Sequence, residues 1–206
     1  MQTSDPDALY AHRDDLASSR AAERIWADRL ARNPKDFESA WKLARARYSL
    51  GTHAPENERK AILKTGIDAG RVAIAAAPNR PEGHFWTAAN MGALAESFGL
   101  RQGLKYRGAI KDELEAVLRL DPAYLQGSAD RALGRWYFKV PGLFGGSLRK
   151  SEEHPLAHVQ PEFRGVAVLS GGDPRGRGQE GRGAGGAAKA PRRADRSRLG
   201  AGGSGV

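Results

Sequence analysis

The 206-residue chain has no cysteine, no apolar run long enough to span a bilayer, and neither a basic leader nor an apolar core between Met1 and Arg20. The first absence excludes disulfides and thiolate chemistry, whether nucleophilic or metal-binding. The other two predict a product without signal peptide or membrane span, cytoplasmic as it stands. Catalytic patterns are missing too. There is no P-loop and no Ser-His-Asp arrangement, and the carboxylate pairs Asp14-Asp15 and Glu152-Glu153 are adjacent, so a helix would turn the two members of each pair to different faces. A non-enzymatic protein without cofactor or metal is the expectation.

Positive charge is in excess, with a formal net charge of +9 and a pI near 10.1. Such a balance ordinarily points to nucleic acid or anionic surfaces. Its distribution argues otherwise: residues 154–206 hold 9 Lys and Arg against 4 Asp and Glu, leaving 24 against 20 for residues 1–153. Thirteen of the 26 glycines also lie beyond His154. Backbone entropy opposes helix in such a stretch, so a helical domain over 1–153 and a disordered low-complexity tail over 154–206 are expected.

Several tail features resemble sites and are better read as chance. Gly176, Gly178 and Gly181 match a dinucleotide fingerprint in letters only, since the glycines that follow forbid the helix that would meet a pyrophosphate. His154 and His158 are four apart, but Pro155 breaks the helix that would align them, and both are expected in solvent. Arg-Gly pairs such as Arg175-Gly176 could touch RNA phosphates, yet only Phe163 could stack on a base, so RNA binding ranks last.

What the chain does have is a period. Pro34, Pro78 and Pro122 are spaced by 44 residues, each closing one apolar-periodic segment and preceding another. Helices are predicted over 8–33, 37–50, 58–77, 81–98, 106–120 and 125–139, with Asp36 capping the second and Gly51 stopping it. The reading is all-α: stacked helix pairs, each too small to hold a core alone.

The segments Trp41-x-x-Ala44-x-x-x-Tyr48, His84-x-x-Thr87-Ala88-x-x-Met91 and Leu133-Gly134-x-x-Tyr137 resemble the tetratricopeptide pattern. A second, narrower resemblance runs through Pro81 to Gly92, Lys111 to Leu114, Ala129 to Gly134 and Val140 to Ser147. These stretches look like the bacterial tetratricopeptide proteins grouped with the T component of TRAP transporters. The resemblance implies a helical protein, usually exported to the periplasm, that partners a periplasmic solute-binding protein and holds a small apolar ligand. The chain departs from that family in lacking an export signal and a lipid-bearing cysteine, and in its tail.

Synonymous codons would let Leu156 to Pro174 and Asp195 to Gly205 be recoded one frame over into segments that suit the family, so a shifted reading frame from about His154 is one expectation for the tail. An uncapped last helix would then be marginal and prone to self-association. The ligand-facing or partner-facing residues expected from these patterns are Trp86, Asn90, Arg101, Tyr106, Arg131 and Phe144. Trp41, Trp86, Trp136 and Tyr137 also read as packing between repeats. A general intracellular scaffold is the alternative function.

Overall fold

The computed structural model describes residues 5–154, all within one of the two units into which the chain divides. The tail readings, including the shifted frame, the glycine triplet, His158 and the Arg-Gly pairs, lie outside the described residues.

The described residues are all helical: α1 (Pro6–Ala11), α2 (Leu16–Arg32), α3 (Phe37–His53), α4 (Glu56–Ala76), α5 (Pro81–Ser97), α6 (Leu100–Leu120), α7 (Ser128–Lys139) and α8 (Leu148–Glu153), with a 3₁₀ turn at Gly142–Phe144. Each helix packs on the next, and α3 also packs directly on α5. Among the described residues α4 and α6 make no comparable contact, so the stack curls with α3 and α5 on its inner side. Trp26, Leu63, Met91, Leu94 and Val117 are fully buried along the axis.

The predicted first helix is two. Asp15 caps α2, its carboxylate accepting from the amides of Ala17 at 3.2 Å and Ser18 at 3.0 Å. Asp36 caps α3 as expected, accepting from Ser39 N at 3.1 Å. Gly51 does not stop α3. It sits inside the helix, where a β-carbon would stand 2.4 Å from Leu63 Cδ2, so the missing side chain serves close approach to α4. Further along α4 the helix meets α5 in the same way: added β-carbons on Gly66 and Gly70 would lie 2.2 Å from Asn90 Oδ1 and from Thr87 Oγ1. These glycines trade helix propensity for room in which the neighbouring helix seats a side chain against the backbone.

α6 starts six residues earlier than its periodicity suggests. Gly99, at φ +82°, makes the whole turn from α5, and Gly103 and Gly108 sit within the helix with open space beside them. α7 starts later, at Ser128, because Leu125, Gln126 and Gly127 are all left-handed, with φ of 45°, 58° and 74°. After α7, Gly146 lies so close to the Val140 carbonyl that no side chain fits, and Ser147 N donates to Tyr137 O at 2.9 Å. That turn sends α8 back onto α7, where Ser151 Oγ donates to Gly134 O at 2.9 Å.

His154 is not in solvent. Its Nδ1 lies 2.7 Å from Asp130 Oδ1, and its ring stacks on Tyr137 with centroids 5.6 Å apart, so the packed helical region runs to His154. No helix among the described residues is long and apolar enough to cross a membrane.

Candidate functional site

Helical spacing of four and then three places Trp41, Arg45 and Tyr48 on one stripe of α3 and Arg131, Arg135 and Phe138 on one stripe of α7. Between them, α5 contributes Phe85, Trp86 and Glu96. Tertiary contacts join these stripes. The Tyr48 and Trp86 rings are 5.6 Å apart, Trp86 meets Phe85 at 5.1 Å, and Phe85 meets Tyr124, from the α6–α7 link, at 5.5 Å. Arg135 Nε donates to Glu96 Oε1 at 2.7 Å, tying α7 to α5. The result is one aromatic strip, edged with ion pairs, across the inner side of the stack.

At the α3 end the strip closes around Arg45. Its guanidinium lies 4.1 Å from the Tyr10 ring, 4.9 Å from Trp41 and 5.6 Å from Trp26, and 3.4 Å from Asp7 Oδ1. Such stacking favours Arg, whose planar cation is weakly hydrated. Burial pulls the Arg45 guanidinium below its usual value, opposed by Tyr10 and Asp7. Burial likewise pushes the Tyr48 hydroxyl up to about 12, with Glu96 adding to the shift, and raises Tyr124, helped by Glu82. Both hydroxyls therefore keep their protons to more alkaline pH than a free tyrosine.

The six residues expected from sequence do not form one cluster. Trp86 is 8% exposed, inside the strip, and its Nε1 faces the Tyr124 hydroxyl without a well-formed hydrogen bond. Asn90 is fully buried beneath it, where Nδ2 donates to Ala44 O at 3.0 Å and to Trp86 O at 2.8 Å, joining α3 to α5. Arg101 is exposed at the start of α6, and Tyr106, half-buried, packs against the core under Lys105. Arg131 clamps the left-handed turn, donating through its guanidinium to the Gln126 and Leu125 carbonyls and, at 2.7 Å, to Ser128 Oγ. Phe144, 39% exposed, lies beneath the Arg107 guanidinium, while its neighbour Leu143 is 90% exposed. Trp136 and Tyr137 are buried, as packing residues should be.

Sequence reasoning placed Tyr48 in the repeat pattern but nominated none of Arg45, Tyr48, Phe85, Tyr124 and Arg135 as a binding residue. The repeated four-then-three spacing in α3 and α7, with an arginine at the middle position of each, was the available signal. Among the described residues, no group of three or more histidines and carboxylates is placed to hold a metal ion.

The family model described as Regulator of microtubule dynamics protein 1-3 matches residues 4–144, from the edge of α1 to the 3₁₀ turn. No curated protein matches the chain.

Proposed function

The chain belongs to the regulator of microtubule dynamics protein 1-3 family, and we propose that it is a non-enzymatic interaction module that grips a protein partner on the inner face of α3, α5 and α7. One observation carries this reading. A chain of aromatic rings from Tyr48 of α3 through Trp86 and Phe85 of α5 to Tyr124 of the α6–α7 link is bordered by Arg45 and by the Arg135–Glu96 pair that ties in α7. The buried Phe85 and Trp86 rings hold the face in a fixed shape, and the part-exposed Arg135 and Phe138 beside them offer arginine and aromatic contact groups, the composition of binding hot spots. The family description names regulation of microtubule dynamics, and a binding role in assembling or positioning other proteins is consistent with it.

The test is capture and titration of partners from the source cell with face variants. Arg135→Glu with Phe138→Ala, the latter residue 51% exposed, should weaken the partner at least tenfold. Lys64→Glu, on the exposed side of α4, should leave affinity unchanged. Equal losses from both changes would refute a specific face.

The narrower role, a T component of a TRAP transporter gripping a solute-binding protein or small apolar ligand, rests on the motif resemblance. What favours it is that the resembling segments fall on α5, which carries the strip, and on the turn with the exposed Leu143. Capture of a solute-binding protein by the same face would decide for it, and a cytosolic partner for the general scaffold.

A further inference from the structure

The Arg45 cluster is closed from above by α1, a helix of six residues that packs chiefly on α2. Two side chains one turn apart do the closing. Asp7 reaches Lys42 Nζ with Oδ2 at 2.8 Å and Arg45 with Oδ1 at 3.4 Å, and Tyr10 lays its ring on Arg45 and against the edge of Trp26 at 5.7 Å. Lys42 is shared with Glu38 at 3.5 Å, and Arg13 lies over the Tyr10 ring at 5.5 Å.

The fit is incomplete. Arg45 Nε, Trp41 Nε1 and Trp26 Nε1 are buried within the cluster with no hydrogen-bond acceptor. A donor taken from water without an acceptor weakens the contact that covers it. A six-residue helix is also far below the length that is stable alone, so α1 stays in place through these contacts, the buried Pro6, Leu9 against the core and its four-residue link to α2. The cluster is thus a built pocket with cationic and aromatic walls, spare donors and a marginal occupant.

We infer that α1 is a displaceable plug on a recognition pocket made by Lys42, Arg45, Trp41 and Trp26, and that the partner segment taking its place is a helix carrying a carboxylate followed one turn later by an aromatic ring. Asp7 and Tyr10 are the internal copy of that ligand. The inference rests on the partner-binding reading above and specifies what the α3 end of the face recognises. Because α1 is tethered, it competes at an effective concentration in the millimolar range, so partners bind tightly only when α1 is loosened.

The probe is a synthetic, helix-constrained peptide of residues 5–13, titrated into the full ¹⁵N-labelled chain while the indole N–H signals of Trp26 and Trp41 are followed. The native chain should respond only at millimolar peptide. The D7N/Y10A chain should bind at least about tenfold more tightly. A peptide carrying D7N and Y10L should not bind either chain. If the double variant fails to fold by circular dichroism, Asp7→Asn alone, which keeps the Tyr10 ring, should tighten binding about threefold.

Indole signals that stay unmoved in a folded plug variant, or equal affinity for both chains, would overturn the inference. So would a natural partner whose affinity falls with Arg135→Glu but ignores Asp7 and Tyr10 substitutions, although the wider partner-binding reading would then stand.

Discussion

Gly66 of α4 and Asn90 of α5 approach so closely that a β-carbon on the glycine would lie 2.2 Å from the amide oxygen, while the amide nitrogen of Asn90 is bonded to α3 and to its own helix. Three helices are therefore locked at one point. Asn90 Oδ1 has no partner there, so the amide cannot swing aside without losing its two donated bonds.

Gly66→Ala should destabilise the protein by about 1–3 kcal/mol through overpacking. The same substitution at Gly108, inside α6 with nothing nearby, should stabilise it by up to about 1 kcal/mol through helix propensity. Thermal unfolding of the two variants should move in opposite directions.

Arg131 holds a turn in which two non-glycine residues are left-handed. Arg131→Ala should cost about 1–2 kcal/mol, and Gln126→Gly in that background should recover about 1 kcal/mol by removing the strain of a side chain at positive φ. Urea denaturation of the single and double variants measures both effects. No recovery would mean that the turn is held by something other than this clamp.

The His84 ring lies between the Glu113 carboxylate at 2.5 Å and the Pro78 carbonyl at 2.9 Å, joining the start of α5 to α6 and to the end of the preceding repeat. A double-mutant cycle with His84→Ala and Glu113→Ala should give a coupling of about 0.5–3 kcal/mol. A coupling near zero would show that the ring is held by the carbonyl alone.

Tyr48 has its hydroxyl pushed up to about 12 by burial, from the ordinary 10. An acid whose folded value is raised holds its proton longer in the native state than in the unfolded chain, so stability is complete below pH 10 and falls between about 10 and 12. The slope from this group is about 1.4 kcal/mol per pH unit. Tyr48→Phe should flatten alkaline unfolding in that window, and an unchanged slope would show that Tyr48 is not responsible for it.

Helix identity was legible wherever apolar spacing met a proline, as at Pro34, Pro78 and Pro122. The misreadings came from residues with two uses. Gly51 reads as a breaker but lies within α3, whereas the true break before α2 depends on Asp15 turning its carboxylate back on the next amides.

The amino-acid order alone determined that the described residues are helical, with prolines recurring every 44 positions, because helix formation depends on neighbours within a few residues and on the fixed backbone of proline. Only the tertiary structure decided that Asn90 is a buried lock, that Arg131 serves a turn, and that Arg45 lies among three rings beneath Asp7. Such pairings join residues tens of positions apart, and no local periodicity specifies which distant side chain fills a given gap between helices.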